Sequence, residues 1–388
     1  MDLHANLIVL GAIFLAGLAA DQLGRATRLP RVTMLLLIGI AAGQSGLDLL
    51  PSEVTAWFEP LSVVALTVVA FLLGGRITPR NIRRNGSAIM TISLVVVGVT
   101  CLVVTAGLLL IGLPAGLAIL LGAIATATAP AAISDVIRQS GIRNDFTERL
   151  AGIVAIDDVW ALVVFSLGLA LVQASGDWSA PLFHALRDLG GAALLGLAIG
   201  LPAALLTGRL KPGEPQQTEA IGVVFLTAGL SLWLDVSFLI AGMTAGAVIA
   251  NVARHHDYAF HEIEHIEWPF MLMFFLLAGA TFEIRALWSL GAAALTFVLL
   301  RILSRIVAGE IGARLSGVPE AERHAYGPAL LPQAGVAVGM ALVASELVPE
   351  WASDIMTLTI ASTVFFELTG PPVTLAAIRH VARAQAER

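Results

Sequence analysis

Two aspartates stand side by side in an otherwise apolar stretch, Gly152-Ile153-Val154-Ala155-Ile156-Asp157-Asp158-Val159-Trp160-Ala161. At the centre of a membrane-spanning helix each carboxylate costs about 2.5–3.5 kcal/mol on insertion scales. Two in succession argue for use; the plainer reading is a pair pinned by hydrogen bonds for packing alone. Successive helix positions point about 100° apart, so one carboxylate is free to meet a cation while its neighbour meets a fixed charge. A buried carboxylate beside a second one is a site where a proton and a cation compete. Asp157 and Asp158 are therefore the candidate ligands of a transported monovalent cation.

The charges that would balance them lie further along the chain. Arg301 and Arg305 are four residues apart in an apolar run, hence on one helix face. At least one is expected to neutralise an aspartate; the alternative is that one or both reach an interface or lipid headgroups. Glu310, one turn from Arg314, reads as a member of an interfacial ion pair. Glu367, within Phe365-Phe366-Glu367-Leu368-Thr369-Gly370-Pro371-Pro372, lies deeper and is a secondary candidate site residue.

The elements that must position these residues are membrane spans. Of the 388 residues 57% are hydrophobic and 13% charged, and the mean hydropathy is +0.88. Thirteen apolar runs lie at about 6–22, 31–47, 57–75, 87–112, 115–137, 147–173, 183–208, 217–234, 237–254, 268–284, 286–314, 325–346 and 353–379, of the length that crosses a hydrocarbon core of about 30 Å. Proline next to small or polar residues interrupts two of them. The fifth breaks at Thr126-Ala127-Thr128-Ala129-Pro130 and the twelfth at Leu331-Pro332-Gln333-Ala334-Gly335. Proline removes an amide donor and pushes the preceding residue out of the helical region, leaving backbone groups that only protein or a watery cavity can satisfy at membrane depth. With spans 1–6 and 8–13 as two repeats joined by span 7, both breaks fall in the fifth span of a repeat. Seven spans separate the repeat starts, so the copies are inverted, the arrangement that marks a transporter's binding site.

Arginine and lysine give the orientation. Of 22 such residues, 18 fall on alternate connections that share one side, two (Arg187 and Arg285) fall on the other, and two (Arg301 and Arg305) lie within a run. The richer side is expected to be cytoplasmic, with the N-terminus outside and the C-terminus inside. Cys101 is the single cysteine, which excludes an intrachain disulfide. There is no G-x-G-x-x-G or Walker lysine pattern. The expectation is a chain without cofactor, nucleotide or nucleic-acid partner, and not an enzyme, whose energy comes from an ion gradient.

With these residues in place, the sequence resembles the monovalent cation:proton antiporter family, the sodium/proton exchangers, over essentially its whole length. The broken span followed one helix later by paired acids is matched by Thr126 to Pro130 and Asp157-Asp158. The phenylalanine-glycine segment is matched by Phe274-Phe275-Leu276-Leu277-Ala278-Gly279, the basic helix by Arg301 to Gly312, and the second break by Pro332-Gln333-Ala334-Gly335. The resemblance implies an all-α fold of about 13 transmembrane helices in two inverted six-helix repeats with crossed broken helices. It implies a homodimer in the cell membrane, with a dimerisation part (about 1–86 and 215–284), a mobile ion-translocating core (87–173 and 286–380) and a linking helix (183–208), working by elevator-like alternating access. Asp158 matches the ion-carrying aspartate, Asp157 the position that is aspartate in electrogenic members and asparagine in many electroneutral ones, and Thr128 a threonine near the ion. Arg305 matches the core basic residue by its distance to Gly312, with Arg301 the alternative. Two features depart from the pattern. Thr128-Ala129-Pro130 lacks the acid of the Thr-Asp-Pro found in many electroneutral members, and the basic helix carries arginine where electrogenic members carry lysine.

Two other readings compete. His261-Glu262-Ile263-Glu264-His265 satisfies the H-E-x-x-H pattern of zinc proteases, but it sits in a segment already rich in histidine and glutamate and just before Trp268-Pro269. A charged helix preceding a span, or a cytoplasmic pH sensor, is the alternative there. A sodium-coupled solute symporter would also use crossed broken helices but explains the paired aspartates less well. The cation expected is sodium, with potassium and lithium as alternatives. Arginine keeps its proton, so a lasting pair with Asp157 predicts one proton exchanged per cation, whereas a pair that opens predicts two.

Overall fold

The computed structural model describes every residue except 1–2, 28–30, 52–53, 55–57, 76–85, 174–178, 208–215, 254–255, 281, 283–289, 334 and 387–388. Among the described residues the elements are fifteen α-helices and one short 3-10 turn. They form two compact units, one of residues 1–2, 52–84 and 173–274, the other of residues 3–51, 85–172 and 275–388.

In the first unit, α3 (Phe58–Gly75), α8 (Ser179–Thr207), α9 (Gln216–Trp233) and α10 (Phe238–Val252) pack together with the start of α11 (His256–Ala280). Glycines set the distances. A Cβ at Gly74 or Gly246 would run into the backbone of Met243 or Phe71, so α3 and α10 cross with main chains nearly touching, the small-residue packing typical of helices in lipid. The run expected at 268–284 begins earlier, because the helix continues back to His256 through the histidine-rich segment.

The second unit holds α1 (Leu3–Thr27), α2 (Arg31–Ala42), α4 (Gly86–Leu110), α5 (Ala115–Ile124), α6 (Pro130–Ser140), α7 (Asp145–Gln173), α12 (Gly291–Leu315), α13 (Glu320–Ala329), α14 (Gly335–Leu347) and α15 (Ala352–Ala386). Three of its helices repeat at a fixed offset of 205 positions, from Gly86 to Gly291, Ala115 to Glu320 and Pro130 to Gly335, and α7 and α15 follow them in turn. The entry to each broken span repeats with them. Gly112 and Gly317 both adopt positive φ, at 88° and 72°, where glycine has no steric penalty. Two residues on, Pro114 and Pro319 cap the first half-helix with almost the same φ and ψ, −54°, 141° and −52°, 141°. Each half-helix then runs ten residues before it stops. Residues 127–129 and 331–333 belong to no helix, so both proline-marked interruptions are real breaks, whereas Pro202, Pro269, Pro328, Pro371 and Pro372 are carried inside helices.

Among the described residues three helices, α4, α7 and α12, are by length and composition able to cross a membrane on their own. On α12 the outer face presents Leu295, Leu299 and Leu303, each more than half exposed, while Arg301 and Arg305 are fully buried. Leucine outside and arginine inside inverts the pattern of a water-soluble helix.

Candidate functional site

The site is built where the two breaks meet the middles of α7 and α12, and all of its residues belong to the second unit. Asp157, Asp158, Arg301, Arg305, Thr126, Thr128 and Gln333 have no solvent exposure. Two acids and two arginines leave the group formally neutral, which such burial requires.

Three of these four charges, Arg301, Arg305 and Asp158, face a half-helix end of the opposite sign. The carbonyls that end α5 have lost their intrahelical partners and carry the negative end of its dipole. Arg301 donates from Nε to Ala125 O at 3.0 Å and from Nη2 to Ala127 O at 2.9 Å. From Nη1 it donates to Leu331 O at 2.7 Å, a carbonyl of the other break. One guanidinium thus ties both breaks together, a use suited to a planar, five-donor fork. Its Cζ also lies 4.2 Å from the centroid of the Phe366 ring on α15, a cation–π contact.

Arg305 serves the first break again. Its Nη2 donates to Ala125 O and Ala127 O at 3.3 and 3.2 Å and, closer still, to Thr126 O. Its Nη1 lies 3.4 Å from Asp157 Oδ2. Of the two arginines left open by the sequence, Arg305 is the one that reaches Asp157. Asp158 Oδ1 accepts from the backbone N–H of Thr128 at 3.4 Å, just ahead of Pro130, where α6 begins and its dipole is positive. The Thr126 hydroxyl turns back to Ala123 O at 2.6 Å. Among the described residues the Thr128 hydroxyl has no hydrogen-bond partner.

Gln333 links the second break to both neighbours, donating to Ile124 O at 3.3 Å and accepting from Ser362 Oγ at 3.3 Å. Pro332 packs against Gly370 of α15, where a Cβ would collide with the proline. Gly335 opens α14. Glu367 is buried on the turn of α15 that carries Phe366. Glu310 pairs with Arg314 at 2.6 Å and with His324 at 2.8 Å, outside the site.

Sequence reasoning missed several participants. Ser93, on α4, donates to Asp157 Oδ1 at 2.5 Å; a hydroxyl in an apolar span was its signal. Phe366 and Ser362 were hidden among ordinary span residues. Arg149, counted as a loop cation, is buried and bonded to Glu322 at 2.6 Å and to the Tyr326 hydroxyl at 2.9 Å. The side chains of His261, Glu262 and His265 lie outside the described residues.

The sequence profile of the family described as sodium/hydrogen exchanger, transmembrane, matches residues 10–378. The chain belongs to the sodium/hydrogen exchanger family. It is a multi-pass membrane protein and a cation/proton antiporter. Among relatives of this exchanger is the ammonium/H(+) antiporter subunit AmhT of Alkalihalophilus pseudofirmus, 22% identical over 330 residues, 82% of this chain and 80% of that one. Another is the K(+)/H(+) antiporter NhaP of Alkalimonas amylolytica, 27% identical over 211 residues, 53% of this chain and 36% of that one. In fold, the exchanger is similar to the sodium proton antiporter MjNhaP1 of Methanocaldococcus jannaschii, with TM-score 0.76 and 19% identity over 100% of this chain and 98% of that one. Neither the symporter nor the zinc-protease alternative is supported by these matches.

Proposed function

We propose that this antiporter exchanges sodium for a proton at Asp158, which holds the two ions in turn, while Asp157 stays paired with Arg305. The reading is carried by the different surroundings of two adjacent carboxylates. Arg305 reaches Asp157 Oδ2, whereas Asp158 meets the Thr128 amide at the positive end of a half-helix. A half-helix end stabilises a carboxylate through its backbone dipoles, and at that position a proton and a monovalent cation can take turns on the same oxygens. The unpartnered Thr128 hydroxyl supplies a further oxygen for a bound cation. Arg301 and Gln333 hold the two breaks against each other around that point. Potassium, lithium and ammonium are the alternative cations, the first and last in view of the names of two relatives.

The scaffold and core divide as the family resemblance implies, with residues 87–173 and 286–380 moving against the remainder in a homodimer. The protein sits in the cell membrane with its N-terminus outside, as the 18-to-2 division of basic residues supports.

The test is exchange in proteoliposomes, with proton flux followed as each cation is added. Asp158→Asn is expected to yield an inserted, folded protein whose cation-dependent proton flux falls to that of empty vesicles. Normal exchange by this variant would overturn the assignment of Asp158.

A further inference from the structure

Glu367 bonds to none of the groups of the exchange site, yet it stands inside the same unit. It is 2% exposed, and among the described residues its carboxyl has neither a hydrogen-bond partner nor a charged neighbour. The charged groups on the helices packed against α15 are engaged elsewhere or lie at helix ends. On α12, Arg301 and Arg305 serve the breaks and Asp157, and Glu310 pairs with Arg314 and His324. On α13, Glu322 bonds Arg149 and Tyr326, and Arg323 donates to Val318 O. Glu320 opens α13, and Glu346 lies in the last turn of α14. α5 carries no charge; the side chains of Arg31 on α2 and of Asp135 and Arg138 on α6 lie outside the described residues. Along α15 itself the nearest charges are Asp354 and Arg379, thirteen and twelve residues away.

The fold does not need an acid at this place. At the offset of 205, Asp157, Asp158, Ala161, Leu162 and Phe165 of α7 correspond to Ser362, Thr363, Phe366, Glu367 and Gly370 of α15, and all ten are buried. Leu162 fills the matching position with a side chain that is also 2% exposed. The setting on α15 is what gives the acid a consequence. In the turn before Glu367, Ser362 bonds Gln333 and Phe366 lies on Arg301; in the turns after it, Gly370 packs against Pro332 and Thr374 donates to Ala329 O. Pro371 and Pro372 remove the amide donors that the carbonyls of Glu367 and Leu368 would meet one turn on. α15 is therefore weakest in its own hydrogen bonding just where it holds the second break.

An unpaired charge buried at such a place is costly, and the neutral acid is the form that fits. Once the proton is lost, the carboxylate needs water or a cation drawn between α15 and its neighbours. We propose that Glu367 is a second proton-binding site of the exchanger, which keeps α15 packed on the second break while its proton is held and loosens that packing when the proton leaves. It does not carry the transported ion, and the inference stands apart from the assignment of exchange to Asp158.

Three measurements on the full-length protein test it. Infrared spectra at neutral pH are expected to show a protonated-carboxyl band in the wild type that is missing from Glu367→Gln and Glu367→Leu. Unfolding in detergent is expected to become easier for the wild type as pH rises above about 4.3, the ordinary value for glutamate, because the folded protein keeps a proton that the unfolded chain gives up. Neither variant has that proton to lose, so their advantage in melting temperature over the wild type is expected to widen with pH, and Glu367→Asp, which restores an acid, to narrow it. In proteoliposomes both variants are expected to exchange sodium for protons and to keep their rate at alkaline pH, where the wild type slows.

A melting-temperature difference that stays constant with pH would overturn the inference, as would the same protonated band in the wild type and both variants, or an unchanged alkaline slope of exchange. Loss of exchange in both variants with the fold intact would also overturn it, by making Glu367 a carrier of the transported ion. Failure to fold is not expected, since Glu367→Gln keeps the shape of the neutral acid and Glu367→Leu copies the residue at the matching position of the first repeat.

Discussion

Where the first repeat carries Asp157 and Asp158, the second carries Ser362 and Thr363, 205 positions on; where the second carries Arg301 and Arg305, the first carries Val96 and Thr100. The backbone devices are copied closely, down to a positive-φ glycine and a capping proline before each broken span. The charges are not copied. One repeat supplies the acids and the other the bases, and they neutralise each other only because the two breaks meet. The second break leans less on charge: Thr374 donates to Ala329 O at 3.0 Å, Gln333 bridges Ile124 and Ser362, and of the two arginines Arg301 reaches it, at Leu331 O. Doubling builds the crossing, and the unmatched residues place the two acids and two arginines at it.

The largest effect on this comparison is expected from Arg301, the group that serves both breaks. Its guanidinium holds Ala125 O, Ala127 O and Leu331 O, and Arg301→Ala leaves all three buried without it. Stripping one partner from a buried charged network costs about 3–5 kcal/mol. Unfolding in detergent should show a loss of that size; wild-type stability would mean that the breaks hold without Arg301.

Arg305→Lys should act more weakly on stability and more on coupling. Lysine reaches Asp157 as a point charge but lacks the fork that also gathers carbonyls of residues 125–127. Loss of hydrogen bonds from a charged donor is worth about 1.5–3 kcal/mol. A buried ammonium, unlike a guanidinium, can give up its proton, so exchange by this variant is expected to depend on voltage in proteoliposomes whose membrane potential is clamped with an ionophore. Voltage independence with intact exchange would mean that the basic partner of Asp157 does not set the charge moved.

Much of this architecture was legible because its physical signals are local and costly to fake. Prolines beside small polar residues marked both breaks, and a pair of acids in an apolar run pointed to the candidate site. Arg301 and Arg305 could be placed on one face by their spacing, but not told apart. Which one reaches Asp157 depends on how α12 is turned against the first break, and helical spacing contains no such information. Ser93 escaped because a single serine costs little in a membrane helix; only the folded chain brings its hydroxyl to Asp157. The buried Arg149–Glu322–Tyr326 cluster was missed for the opposite reason. Charges near span ends read as solvated, and the network joins residues 173 positions apart. The start of α11 at His256 was hidden because a polar first half carries no span-like hydropathy.

The smallest effect, and the sharpest contrast, is expected at Thr363, the counterpart of Asp158. Thr363 is fully buried, and its hydroxyl has no hydrogen-bond partner among the described residues. An unsatisfied buried hydroxyl is a liability, and valine replaces it with a methyl group of nearly the same shape. Thr363→Val should therefore leave stability unchanged or raise it by about 1 kcal/mol. If ion chemistry belongs to the unmatched residues alone, the exchange rate of this variant should stay within about twofold of wild type, a barrier change of less than about 1 kcal/mol. Asp158→Asn, at the equivalent position of the other repeat, should lose exchange altogether. Both variants assayed in one proteoliposome preparation decide the point. Loss of cation-dependent proton flux in Thr363→Val, with the protein still folded, would mean that the cation takes an oxygen from each repeat, and that the hydroxyl without a protein partner is one of its ligands.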